Sequence, residues 1–142
     1  MKTITQFLAE RSDPVWSVKP DDTVIDALRV MADKNIGALV VIADDRLVGI
    51  FSERDYARKV VLMGKSSSSV LVRDIMTSKT ISITPGHTVE QCMQIMSDHK
   101  IRHLPILKDD KVVGMISIGD VVKAMIATQK LMIEQLQQYI TT

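Results

Sequence analysis

The apolar positions of this chain change period in a fixed order, and that order recurs. Val15 to Val18 alternate apolar and polar residues, which predicts a short strand before a Pro20-Asp21-Asp22 turn. Thr23 then stands where a helix cap belongs, ahead of Val24, Ala27, Leu28, Met31 and Ala32 at helical spacing. Asn35-Ile36-Gly37 closes that helix. Ala38 to Ile42 is an unbroken apolar run and reads as a buried strand. Asp44-Asp45-Arg46 is a hairpin loop, and Leu47 to Phe51 is the return strand. Ser52 starts a second helix, with Tyr56, Val60 and Met63 among its apolar positions, which ends near Gly64. Upstream, Ile4, Phe7 and Leu8 predict a short helix over Thr3 to Glu10, ended by Ser12-Asp13-Pro14.

Lys65 to Ser69 is a serine-rich linker, and Val70 to Met76 reads as a short helical turn. The first pattern then returns without a gap. Ile83, Pro85, Thr88 and Val89 match Val18, Pro20, Thr23 and Val24. Met96, Ile101 and Leu104 match Met31, Ile36 and Leu39; Asp109 and Asp110 match Asp44 and Asp45. A spacing held over about forty residues marks a duplication. The expected layout is an N-terminal helix over 1–13, a first repeat over 14–64, a linker over 65–78, a second repeat over 79–127 and a helical extension over 128–142. Each repeat reads strand, helix, strand, strand, helix. The fold class is therefore α/β (α+β), with tandem repeats packed as a pseudo-two-fold pair, since neither repeat is large enough to bury its sheet alone.

The last helix outruns its repeat. Val122, Ile126, Gln129, Ile133, Leu136 and Ile140 follow alternating steps of four and three, a heptad seam interrupted once by Gln129. The seam either packs back on its own domain or joins a second copy. Its length beyond the domain favours the dimer.

Composition narrows the function. With 142 residues, 46% hydrophobic and 25% charged, the chain has an ordinary globular balance, and nine Met against two Phe, two Tyr and one Trp predict a Met-filled core. A net charge of +1 gives no reason to expect nucleic acid or an acidic membrane surface. Cys92 is the single cysteine, so no internal disulfide forms; a reducing, cytoplasmic setting is the expectation. No apolar run has the length of a signal peptide or a membrane span.

The candidate chemistry lies where each return strand meets its helix. Gly49-Ile50-Phe51-Ser52-Glu53-Arg54-Asp55 recurs as Gly114-Met115-Ile116-Ser117-Ile118-Gly119-Asp120. Ser-x-x-Asp is close to a capping box, and Thr23-x-x-Asp26 and Thr88-x-x-Gln91 share its spacing with no ligand implied. A helix start is also a place for an anion. Aspartate suits a sugar diol, serine and free N–H groups suit phosphate, and arginine adds a bidentate cation. Carboxylate beside phosphate repels, so Asp and Ser are expected to face different parts of a ligand. The repeats also differ: Gly37-Ala38 stands where the second has Arg102-His103, and Ile118-Gly119 where the first has Glu53-Arg54. Two inequivalent sites follow. Gly64-Lys65-Ser66 lacks the first glycine and the preceding strand of a P-loop. Cys92, His99 and His103 read as a core cysteine and an isolated histidine pair, so no metal is expected. No nucleophile has the partners of a catalytic set, so the chain is not expected to be an enzyme.

The tandem repeat, the two Gly-to-Asp strings, the Lys100-Ile101-Arg102-His103-Leu104-Pro105-Ile106 strand entry and Val72-Arg73-Asp74-Ile75-Met76-Thr77 together resemble a pair of CBS domains, a Bateman module, of the small stand-alone bacterial type. The resemblance implies a regulatory module that binds adenosine compounds (AMP, ADP, ATP, NAD or S-adenosylmethionine) in clefts between the repeats and commonly forms a homodimer. In the first cleft it puts ribose on Asp120, phosphate on Ser117, basic groups at Arg102 and His103, and adenine against Trp16 and Ile36-Gly37-Ala38. In the second, Asp55 and Ser52 take those roles, the base lies near Thr80, Ile81 and Ile101, and Arg54 reaches a phosphate. A nucleotide-independent interaction scaffold is the competing expectation, with a nucleotide hydrolase behind both. The regulated target protein is unknown.

Overall fold

The computed structural model describes residues 2–141. The chain forms two compact units. One holds Pro14–Ile81 with Asp109–Val113; the other holds the N-terminal segment through Asp13, Ser82–Lys108 and the chain from Gly114 onward.

In the unit built on the first repeat, β1 (Ser17–Val18) pairs parallel with β2 (Ala38–Ala43), and β2 pairs antiparallel with β3 (Arg46–Ser52), giving the order β1-β2-β3. Helix α2 (Val24–Lys34) is the crossover that the parallel pair requires. Thr23 Oγ1 caps it by accepting from the Asp26 N–H, and Asn35 ends it in the left-handed region at φ 54°. The hairpin turns on Asp44 and Asp45, both at positive φ (51° and 62°), as a two-residue type I′ turn demands. Val24, Ala27 and Met31 from α2 meet Leu39, Val41 and Phe51 from the sheet in the core.

The expected single helix from Ser52 to Gly64 is two pieces. α3 (Glu53–Tyr56) gives way to a π-helix, Ala57–Val61. Val60 is buried in that wider turn, and Lys59 Nζ turns back to donate to Ile75 O at 3.0 Å. Ile75 lies in α4 (Val72–Ile75), which buries Val72 and Ile75 on this same core.

The second repeat repeats the design with α5 (Val89–His99), β4 (His103–Lys108) and β5 (Lys111–Ser117). Lys100 takes the left-handed stop of Asn35, and Asp109 and Asp110 repeat the I′ turn at φ 53° and 63°. Its first strand shrinks to one parallel bridge, Ile83 with Ile106. Cys92 lies fully buried on the inner face of α5, at the position matching Ala27. Helix α6 (Ile118–Thr141) runs for 24 residues.

The two short helices answer each other. α1 (Ile4–Ala9) packs on the second repeat as α4 packs on the first. Thr3 bridges Thr88 as Leu71 bridges Thr23. The Ile4 N–H donates to His87 O at 2.9 Å, and the Val72 N–H donates to Asp22 O at 2.8 Å. Leu8 reaches into the space over Gly114, and Met76 into the space over Gly49. In each case a β-carbon on the strand glycine would lie 2.6 Å from the incoming side chain, so glycine is needed for close approach.

Candidate functional site

Both Ser-x-x-Asp turns form the capping arrangement. The Ser52 N–H and Ser52 Oγ–H donate to Asp55 Oδ2 at 3.0 and 3.1 Å, and the Asp55 N–H donates back to Ser52 Oγ at 3.1 Å. Ser117 and Asp120 repeat all three bonds, at 2.9, 3.0 and 3.1 Å. Each serine hydroxyl points at its own aspartate, because that carboxylate is the nearest strong acceptor at the helix start.

The strand entries lie beside these turns. Ala38 is in register with Ser52, and Gly37 O accepts from the Glu53 N–H at 3.0 Å. Arg102 O accepts from the Ile118 N–H at 2.8 Å. Ile36-Gly37-Ala38 and Ser52–Asp55 thus share a corner of one unit, and Ile101-Arg102-His103 and Ser117–Asp120 share the same corner of the other. Arg102 is exposed, and Ile36, Gly37, Ile101 and His103 are half-buried. Arg54 is exposed and, like His103, is engaged with a neighbour. Trp16 packs half-buried against the first unit's core, with Lys34 Nζ 4.3 Å from the centre of its ring. Thr80 and Ile81 belong to that unit and are half-buried. The two residue sets that the resemblance implies each draw on both units.

The two carboxylates differ in their remaining partners. Asp55, 9% exposed, receives the Thr77 hydroxyl on Oδ1 at 3.1 Å, and Lys59 Nζ lies 3.2 Å from the same oxygen. Asp120 instead faces Arg11, whose Nη1 donates to Oδ2 at 3.1 Å and to Met115 O at 3.3 Å. Burial pushes the Asp120 carboxyl up. The Ser117 N–H, the Arg11 charge and the hydrogen bonds from both side chains outweigh it and hold the carboxyl below 3.8, its ordinary value. Arg11 itself lies over the Phe7 ring, 5.1 Å from its centre.

Arg11, Thr77 and Lys59 were not singled out in the sequence. One signal existed. Residues 71–77 and 3–9 carry the same helix with matched apolar positions, Val72 and Met76 against Ile4 and Leu8, which marks both segments as parts of the repeat. Among the described residues no group of three or more His, Cys, Asp or Glu side chains can hold a metal ion. No described helix is long and apolar enough to cross a membrane.

Fold and site define a two-repeat module whose halves each present a serine–aspartate pair at a helix start. The sequence matches the CBS domain twice, over residues 9–62 and 72–127, and the chain belongs to the CBS-domain family. CBS-domain pairs are modules of regulation and signal transduction. The chain is 46% identical over 125 residues to the mitochondrial CBS-domain protein CBSX3 of Arabidopsis thaliana, covering 84% of this chain and 61% of that protein. It therefore spans about three fifths of that relative's length. Its fold matches a CBS-domain protein of Burkholderia ambifaria MC40-6, named as a candidate signal-transduction protein, at 45% identity and a TM-score of 0.86 over 90% of this chain and 96% of the other. The CBS domain pair of protein MJ0100, in complex with 5′-methylthioadenosine and S-adenosyl-L-methionine, shares the fold at 22% identity and a TM-score of 0.80, over 90% of this chain and 98% of that one.

Proposed function

We propose that this chain is a non-enzymatic sensor of adenosine compounds that passes their level on to a partner protein. The observation that carries this reading is Asp120, held at a helix start by hydrogen bonds with its own serine. A carboxylate fixed this way is a preorganised acceptor for ribose hydroxyls. Ser117, Arg102 and His103 stand on the same unit as Asp120, and their donors suit a phosphate tail once Ser117 turns its hydroxyl outward. The family's regulatory use and the bound adenosine compounds of a protein with the same fold support the ligand class. AMP, ADP, ATP, NAD and S-adenosylmethionine all carry the required sugar.

Output requires that the ligand bind one state of the module better than another, by about 1–3 kcal/mol in typical cases. A homodimer through α6 is the proposed frame for that change. Ile133, Leu136 and Ile140 are 54%, 60% and 80% exposed along the seam, more apolar surface than a lone helix usually leaves to water.

The test is a thermal-shift titration with AMP, ADP, ATP, NAD and S-adenosylmethionine. Stabilisation of a few degrees at saturating ligand is expected. No shift with any of them at millimolar levels removes the reading. A second reading is a nucleotide-independent scaffold. It is favoured by the serine–aspartate pairs, which satisfy each other with no ligand present. Partner capture that ignores added nucleotide selects it.

A further inference from the structure

The two aspartates that the duplication makes equivalent in sequence are not equivalent as acceptors. An ionised carboxylate offers about four lone-pair sites. Asp55 engages both oxygens from its own unit: the Ser52 N–H and hydroxyl donate to Oδ2, the Thr77 hydroxyl donates to Oδ1, and the Lys59 ammonium forms an ion pair with Oδ1. Each of these donors has a structural task as well. Thr77 is bridged to Ile50 through the Ile50 N–H to Thr77 O and Thr77 N–H to Ile50 O bonds, at 2.9 and 2.8 Å, and Lys59 also holds Ile75 O. Asp55 is thus the knot that ties α3, the π-helix and the end of α4 to β3.

The second unit lacks the means to tie that knot. By the matched bridges of Thr3 and Leu71, residue 77 corresponds to residue 9, which is Ala9. By the spacing of Ser52 to Ser117, residue 59 corresponds to residue 124, which is Ala124. Neither alanine has a side chain that can donate to a carboxylate. The three donors that Asp120 does receive, the Ser117 N–H, the Ser117 hydroxyl and Arg11, all fall on Oδ2. Among the described residues, the groups that occupy Oδ1 in the first unit have no counterpart at Oδ1 here.

We propose that the chain binds one adenosine compound, with its ribose on Asp120, and that Asp55 is a structural residue that takes no part in ligand binding. The proposal rests on the sensor reading above and adds its stoichiometry and its address. A diol that reached Asp55 would have to evict the Thr77 hydroxyl or the Lys59 ammonium and loosen three elements. At Asp120 one hydroxyl meets Oδ1 directly, and a second at Oδ2 competes with the Ser117 donors and with Arg11, an exposed side chain on the N-terminal segment. Arg11 is the cation best placed to turn from the carboxylate toward a ligand's charged tail as the ribose arrives.

Isothermal titration of the full chain with AMP and with S-adenosylmethionine tests this. The expected result is one molecule bound per chain for whichever compound binds. Asp120→Asn is expected to weaken binding on the order of tenfold or more, the scale of losing a charged acceptor. Asp55→Asn is expected to lower the melting temperature and leave the dissociation constant within about twofold. Should Asp55→Asn fail to fold, Lys59→Met takes its place, with the same expectation. Two molecules per chain, or loss of binding in Asp55→Asn or Lys59→Met with Asp120→Asn unaffected, overturns the one-site proposal and leaves the sensor reading standing. No binding by the unaltered chain overturns both.

Discussion

Arg11 and Asp120 are 109 residues apart in the chain and 3.1 Å apart in the fold. Their ion pair joins the segment after α1 to the first turn of α6, and Arg11 also bonds Met115 O on the adjacent strand. An N-terminal segment is thereby held against the carboxylate that the sensor reading assigns to ribose.

Arg11→Ala should free that segment. The pair is partly exposed, so a stability loss of about 1 kcal/mol is expected in urea unfolding. Amide exchange over Ile4–Ala9 should rise, because the docking of α1 would then rest on buried Ile4 and Phe7, on Leu8 over Gly114 and on its bonds to 85 and 87 without the ion pair behind it. Unchanged exchange there would show that the ion pair is ornamental.

The same pair has a pH dependence of definite sign. Asp120 has its carboxyl lowered in the folded state, so its contribution is fully present above the ordinary value of 3.8. That contribution is lost as pH falls through the lower folded value. The stability difference between the unaltered chain and Asp120→Asn should therefore be constant from pH 7 down to about 5 and shrink below about 4. Urea midpoints across that range check it.

The strand glycines should tolerate alanine unequally. A β-carbon at Gly114 meets the end of Leu8, 2.6 Å away, a side chain that can swing aside. At Gly49 it meets Met76 Sδ at 2.6 Å and, in addition, the backbone oxygen of Thr77 at 3.0 Å. Gly49→Ala is expected to cost about 1–3 kcal/mol by overpacking and Gly114→Ala less. Chemical denaturation of the two variants decides the order.

Burial pushes the Cys92 thiol up to about 11. A fully buried neutral thiol in the α5 core should not react with a thiol reagent at pH 8 until the protein opens. Labelling should track global unfolding, and fast labelling of the native chain would contradict the packing.

Leu136→Asp tests the proposed α6 contact. Sedimentation or light scattering should show a dimer for the unaltered chain and a monomer for the variant, with the melting of each repeat little changed. A dimer that survives the charge would move the interface elsewhere.

The sequence by itself determined the repeat and the elements inside it. Period-3.6 spacing marked α2, an unbroken apolar run marked β2 with β3 as its return, the repeat match carried these onto α5, β4 and β5, and the paired Asp-Asp dipeptides located both I′ turns. Those signals are local: a strand or helix stamps its own period on neighbouring residues, and a turn that needs positive φ selects its residue types. The serine–aspartate caps were legible for the same reason, since both partners lie within one helical turn. The break of the Ser52 helix into a π-helix was not legible, because Val60 and Lys59 take their positions from α4 and not from their own periodicity. Nor was the exchange of short helices, in which α1 serves the second repeat and α4 the first. Only the tertiary structure decided that Asp55 would meet Thr77 and Lys59 while Asp120 met Arg11. Such pairings depend on which distant segments the packing of apolar faces brings together, and the spacing of charges along a chain does not encode that choice.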